Sequence, residues 1–479
     1  MDQKKTPLFD ALLTWKQRKP YSFHVPGHKN GTVFPEKARD IFESLLSIDA
    51  TELNGLDDLH EPEGAIFEAE QLAAAFYGSE ACYFLVNGST VGNLAMILAT
   101  CQEDEVVLVQ RNSHKSVMNG LELANAKPVF LTPEVDEQTK VAKGVALKTI
   151  KAAYARYPEA KTLVLTNPNY YGMTLDLRPI IEFAKKNGMT VLIDEAHGAH
   201  FGIGKPFPES AISLGADVIV QSAHKTLPAM TMGSFLHVNK QYPFHARLKY
   251  YLTLLQSSSP SYPIMASLDL ARYYLAQIDS DFKNAIIESF LDFETKLKKI
   301  KGLRLIKSES HRYQQDPLKV VVQSTYGASG FQLQHALEQS AVYPELADEL
   351  NVLFMLPLAP VKNSEMLIET LKNVFQKQKY ENRRQFDYGI DFHDSKPFST
   401  LACSYQEMMN LPKTGVPFHR AVGEVSAEAV IPYPPGIPLL MKGEMITYKH
   451  VEMIRRLLES GTRFQGGSRL SEHHLVILK

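Results

Sequence analysis

Between residues 66 and 240 the chain alternates short, wholly apolar runs with amphipathic stretches, and few architectures satisfy that alternation. The runs are CYFLV (82–86), VVLVQ (106–110), PVFL (128–131), LVLT (163–166), VLI (191–193) and DVIV (217–220). They are too short for helices and apolar throughout, which predicts strands buried on both faces. AIFEAEQLAAAFYG reads as a helix closed by Gly78, and VGNLAMILATC and 177–188 read as further helices. Such an order predicts an α/β fold with a mostly parallel sheet covered by helices.

Ligands of such sheets bind beyond the carboxyl ends of the strands. Five strands run into polar residues there: Asn87-Gly88-Ser89-Thr90, Arg111-Asn112-Ser113-His114-Lys115, Asn167-Pro168-Asn169-Tyr170-Tyr171, Asp194-Glu195-Ala196-His197 and Gln221-Ser222-Ala223-His224-Lys225. Chance would load one or two ends; five predict a site.

Most lysines are solvated surface charges, but one in a dry site beside cations has a lowered pKa and forms an imine with an aldehyde. Lys225, at a strand end beside His224 and Ser222, fits that role. Asp194 either caps a helix or pairs with a pyridine nitrogen, making the ring an electron sink. Gly88-Ser89-Thr90 opens a helix, as a plain N-cap or as a cradle for a phosphate. His114 is placed to stack on a flat ring or move a proton. His197 and His200 have a spacing that suits metal ligation, but no third ligand is evident and no metal is expected. Ser257, Ser258 and Ser259 form either a flexible loop or a second phosphate contact on a neighbouring subunit's cofactor. An amine, a carboxylate and an anion cradle around one flat ring describe a pyridoxal 5'-phosphate (PLP) site.

The remaining features bound this reading. The chain has 479 residues, enough for two or three domains. A net charge of −2 provides no field for nucleic acid or an acidic membrane. Cys82, Cys101 and Cys403 form no CxxC, and no signal core or apolar run of membrane-spanning length occurs. A cytoplasmic protein is expected. Residues 1–65 read as an N-terminal arm with entrance loops, starting with an amphipathic helix suited to a partner subunit. Residues 66–275 read as the cofactor-binding large domain, 276–385 as a small α/β domain and 386–479 as a C-terminal domain. A long helical stretch is expected over 264–300, and a polar linker over 376–395.

In order along the chain, HVPGHKNG, DDLHEPEG, NGST, RNSHKS, DEAHGAH, SAHKTLPAMTMGS, SSSPSYPIMASLD and PYPPGIPLL resemble the ornithine/lysine/arginine decarboxylases of the fold-type-I PLP class. The resemblance covers nearly the whole chain and is strongest from 20 to 270; the length matches the short Gram-positive members. It implies decarboxylation of arginine, lysine or ornithine to an amine and CO2, in polyamine biosynthesis. It implies a homodimer, or a dimer of dimers, with shared active sites. Lys225 would carry the cofactor, Asp194 would hold its ring nitrogen, and His114 and Ala196 would lie on the two ring faces. Ser89, Thr90, Ser222 and His224 would hold the phosphate, with Ser258 or Ser259 reaching in from the partner. His197 stands where some relatives carry a bulkier aromatic. Lys225, Asp194, His114 and His224 are the expected catalytic set. His28, Asp57, Asp58 and Glu428 would shape the substrate entrance, within an acidic set that also includes Asp49, Glu52, Glu61 and Glu63. Lys442 replaces a proline common before Gly-Glu, which weakens the carry-over to Glu444.

Two other functions share these residues. One is transamination or lyase chemistry on the same fold, with Arg312 or Arg420 clamping the substrate carboxylate. The other is a catalytically silent homologue that senses polyamines or binds a partner protein.

Overall fold

The computed structural model describes residues 1–307, 312–377, 396–433 and 436–479. Pro434 and Pro435 of the Pro-rich turn, and residues 378–395 of the expected linker with the boundary at 386, lie outside the described residues. The chain forms two compact units, Met1–Thr100 with Thr190–Ser280 and Cys101–Met189 with Asp281–Lys479. This division cuts across the consecutive segments expected from the sequence.

In the first unit four strands lie in the order Ala81–Leu85, Ser234–Val238, Val218–Gln221, Thr190–Asp194. The last two are parallel, with Asp194 level with Val220. Ser234–Val238 runs antiparallel to both of its neighbours. The expected strand set omits it, so the sheet here is mixed. Two antiparallel steps restore direction: Ala81–Leu85 points the same way as Val218–Gln221, and their carboxyl ends reach one edge. The helix Gly88–Thr100 lies tight on this sheet. A Cβ at Gly92 would sit 2.8 Å from Leu85 Cδ1 and 2.9 Å from Val220 Cγ1, so only glycine fits.

Ala81–Leu85 is an edge strand of this unit, and side chains take the place of a neighbouring strand. Glu70 accepts from Phe84 N at 2.8 Å, and Gln256 accepts from Val86 N at 2.9 Å while donating to Phe84 O at 3.4 Å. Exposed edges invite pairing with other chains, and this one is covered.

The N-terminal helix, Pro7–Gln17, buries Leu8, Leu12 and Trp15 against its own chain, on helices Ala65–Tyr77 and Tyr262–Ala276. Its apolar stripe is used internally. The buried Asp269 carboxylate accepts from Leu8 N at 3.1 Å, and the Arg272 guanidinium, paired with Asp269, donates to Gln3 O and Lys5 O. The long helical stretch is two helices, Tyr262–Ala276 and Ser280–Leu297. A short helix, Arg39–Leu46, lies in the arm that reads as irregular.

In the second unit Thr162–Thr166, Val106–Gln110 and Lys127–Leu131 are parallel neighbours, and Phe398–Thr400 adds an antiparallel edge. An antiparallel sheet of Leu303–Ile306, Lys319–Ser324, Val352–Met355 and Leu346–Ala347 falls where the small α/β domain is expected. Residues after 412 build a last cluster from two antiparallel strand pairs and the helix Tyr448–Glu459, around Leu440, Ile454 and Leu475. Among the described residues no helix is long and apolar enough to cross a membrane.

Candidate active site

Three of the five polar strand ends belong to the first unit, and hydrogen bonds knit them together. After Ala81–Leu85 the chain turns at Gly88, whose φ of +76° suits glycine, and enters the helix at Ser89. Ser89 Oγ shares a hydrogen bond of 2.7 Å with Ser222 Oγ and donates to Ser234 Oγ at 3.3 Å. All three serines are buried, and Thr90 is exposed on the next position. Three hydroxyls beside a helix N-terminus form a donor cluster that suits a phosphate.

Asp194 ends its strand buried, at 3 % exposure. Asn93 Nδ2 donates to its Oδ2 at 2.9 Å, and Ala196 N donates to its Oδ1 at 3.1 Å. The carboxylate is pinned from two sides, with acceptor capacity remaining on each oxygen. Lys225 lies in the single helical turn Ala223–Thr226 that follows Val218–Gln221. Its Nζ is 3.1 Å from Nε2 of His197, the residue three places beyond Asp194. His224 Nδ1 faces Gly233 O at 3.1 Å, which commits that nitrogen to donation. The lysine, the carboxylate loop and the hydroxyl cluster thus share one strand-end edge, and their donors fit a phosphorylated pyridine aldehyde.

The arm residues divide. His28 Nε2 is 3.1 Å from Asp49 Oδ2. Asp57 accepts from the backbone N–H of Asp58, Glu63, Gly64, Ile66 and Phe67, so it caps the helix Ala65–Tyr77. Burial opposes the charge on Asp57, but those donors win and hold its carboxyl below the usual range. That use is structural, unlike the expected contact with substrate. Asp58 accepts from His60 N at 2.8 Å. Ser258 and Ser259 are exposed, on a loop where Ser257 N donates to Asn87 Oδ1 at 3.5 Å.

The second unit holds the other two strand ends. His114 caps the helix Lys115–Leu123, its Nδ1 2.8 Å from Ser116 Oγ, and a Cβ on Gly436 would lie 3.8 Å from its ring. Arg111 is buried and donates to Pro438 O at 2.7 Å, Leu439 O at 3.0 Å and Glu444 Oε2 at 2.8 Å. Glu444 therefore has a defined partner despite Lys442 beside it. Asn167 and Asn169 serve a turn. Their side-chain oxygens accept from Leu175 N and Met173 N, closing the turn into the strand Met173–Leu175. Glu428 accepts from Ser468 N at 3.0 Å, and Arg312 pairs with Glu134 at 3.3 Å.

Residues 6–311 match the family model described as Orn/Lys/Arg decarboxylase, major domain, and residues 391–467 match its C-terminal domain. The chain belongs to the Orn/Lys/Arg decarboxylase family. It is 46 % identical over 476 residues to the uncharacterized protein YaaO of Bacillus subtilis strain 168, covering 98 % of each chain. It is 31 % identical over 487 residues to an arginine decarboxylase of the same organism, covering 100 % of this chain and 99 % of that one. The lysine decarboxylase LdcF of Francisella novicida superposes with a TM-score of 0.82 at 18 % identity, covering 98 % of this chain and 80 % of that one. The fold is that of the fold-type-I PLP enzymes, and the family makes this chain a PLP-dependent decarboxylase.

Sequence reasoning missed two residues that contact the candidate site residues, Asn93 at Asp194 and Ser234 at Ser89. Asn93 is a polar residue on the buried face of an apolar helix, a signal present in VGNLAMILATC. Ser234 opens the apolar run SFLHV, and only recognising that run as a strand would have drawn attention to it.

Proposed function

We propose that the protein removes the α-carboxylate of a basic amino acid, arginine, lysine or ornithine, with PLP attached to Lys225. Arginine is the first candidate, because relatives at 31–32 % identity over nearly the whole chain are named arginine decarboxylases, while those named lysine decarboxylases are 23–28 % identical. The observation that carries the reading is the placement of Lys225 Nζ against His197, on the loop of Asp194, beside the Ser89–Ser222 hydroxyl pair.

When bound, PLP supplies the electron sink for the pair released as CO2 departs. The chain's own residues do the rest. Lys225 holds the cofactor through its ε-amino nitrogen. Asp194, kept oriented by Asn93 and Ala196 N, holds a proton on the ring nitrogen. Ser89 and Ser222 anchor the phosphate at the helix N-terminus, with Ser234 orienting Ser89. His197 is within proton-sharing distance of Lys225 Nζ and helps set which atom carries the proton returned to the product. The stacking role of His114 and the entrance role of Glu428 rest on the family resemblance alone. Ser258 and Ser259, exposed on the single chain, suit a contact to a second copy's cofactor, in keeping with a homodimer or a dimer of dimers as the working form.

The test is to supply arginine, lysine and ornithine in turn to PLP-loaded protein and measure amine and CO2, with Lys225→Ala as blank. One diamine or agmatine-type product, without any keto-acid requirement, supports the reading. Keto-acid-dependent amino transfer, or protein that borohydride cannot fix to PLP, would overturn it.

A further inference from the structure

Behind the strand ends that carry Asp194 and Lys225, the far side of the sheet is polar where apolar packing is expected. Successive residues of an extended chain face opposite ways. Asp194 meets Asn93, and Glu195 turns to other partners. Glu195, Gln221 and His237 are each 0 % exposed.

Ser210 Oγ and Gln221 Nε2 donate to Glu195 Oε2 at 2.6 and 2.7 Å, and Ala211 N donates to Oε1 at 2.7 Å. Gln221 pairs across the sheet with Phe235 and Ile219 with His237, so His237 lies diagonal to Gln221 on the same face. Its Nε2 is 3.1 Å from Gln221 Oε1. Because the Gln221 amide nitrogen is committed to Glu195, its oxygen must accept, and His237 Nε2 carries the proton. His237 Nδ1 then accepts from Ser79 Oγ at 3.3 Å. Burial pushes His237 down to about 3, in keeping with one neutral tautomer. Burial pushes Glu195 up to about 7, against the three donors that favour its carboxylate. The backbone repeats the link: Glu195 N donates to Val220 O at 2.9 Å, and Ser222 N donates to Ala196 O at 3.2 Å.

We propose that Glu195, Gln221 and His237 are positioning residues that lock the Asp194 loop to the Lys225 loop and so keep the ring-nitrogen partner and the amine in register. This rests on the site reading given above. The relay touches neither cofactor nor substrate; it acts through the residues one place before or after it, Asp194 and Ser222. A buried polar network with every member satisfied has one arrangement, whereas an apolar contact at the same place allows small slides. Displacements of ~1 Å at a reacting centre cost about 100-fold in rate.

Two sets of variants test this on the PLP-loaded protein. Glu195→Gln keeps the shape but puts a donor where an acceptor stood, against either Ala211 N–H or the Gln221 amide. His237→Phe removes the donor to Gln221, and His237→Gln restores one. Glu70→Gln, an equally buried acid outside the relay, is the control. The expected result is a fall in kcat of about 10- to 100-fold for Glu195→Gln and His237→Phe, with KM within about threefold. The visible circular dichroism of bound PLP should change with it, and amide exchange at 194–197 and 222–225 should quicken in the cofactor-free protein. His237→Gln should recover most of each signal, and Glu70→Gln should leave kcat, KM and the dichroism at the parent's values. A lowered melting temperature with unchanged kcat, dichroism and local exchange would overturn the proposal. So would a His237→Gln variant no better than His237→Phe, which keeps the idea testable if Glu195→Gln does not fold. Failure of the parent protein to be fixed at Lys225 by borohydride would instead overturn the site reading itself.

Discussion

Asn93 Nδ2 donates to Asp194 Oδ2 at 2.9 Å from the second turn of the helix that carries Ser89, so one helix both contributes to the hydroxyl cluster and orients the carboxylate. Asp194→Ala should therefore lower kcat by roughly two to three decades, about 3–4 kcal/mol of barrier, because the lost charge acts mainly on the transition state. Asn93→Ala should cost less, about 1.5–3 kcal/mol, the usual range for a hydrogen bond to a charged group. Steady-state kinetics of the two variants and their double check the order. A double variant no slower than Asp194→Ala alone would show that Asn93 acts only through Asp194.

Lys225→Ala should abolish turnover and leave the fold intact. The lysine is partly accessible, and the side-chain contact described for it is with His197, so its removal opens no large cavity. Far-ultraviolet dichroism and a melting temperature near the parent's, together with no borohydride-stable PLP adduct, would be the matching outcome. An adduct that persists in the variant would place the attachment at another lysine.

Much of this site was legible because α/β sheets concentrate function at strand ends. Lys225, Asp194, Ser89 and Ser222 each follow a recognisable apolar run. Asn167 and Asn169 follow one too, yet they serve a turn, since strand-end position says nothing about which way an amide folds back. Asp57 was misread for a related reason. Its five donors include Ile66 and Phe67, nine and ten residues downstream, and a cap supplied from outside the helix leaves no local spacing to recognise. That the strand Ser234–Val238 runs against its neighbours could not be read, because strand direction is a property of the assembled sheet. The N-terminal helix displayed its stripe plainly, but a stripe does not name its partner.

Arg111 and Glu444 should be worth more to stability than a surface pair. They are nearly buried, and Arg111 also satisfies Pro438 O and Leu439 O. Arg111→Met leaves those carbonyls and a buried carboxylate without their donor, and should destabilise the fold by about 3–5 kcal/mol. Glu444→Gln keeps an acceptor for Arg111 and for Met441 N, and should cost clearly less. Chemical denaturation of both variants tests the ranking, and a milder effect for Arg111→Met would refute the clasp.

Glu70 makes stability fall as pH rises. Its carboxyl is buried at the covered edge strand, and burial lifts it to about 8 from an ordinary 4.5, with the Phe84 N–H pulling weakly the other way. Between those values the folded chain keeps a proton that the unfolded chain has released, so the folded state is favoured most below pH 4.5 and loses that advantage progressively up to about 8. The full span is of order 5 kcal/mol. Glu70→Gln keeps an oxygen for Phe84 N and cannot ionise. Its stability relative to the parent should therefore grow from about pH 4.5 to about 8 and level off above. Denaturation curves across that range check it, and a parent-to-variant difference that does not change with pH would show that Glu70 ionises normally in the folded chain.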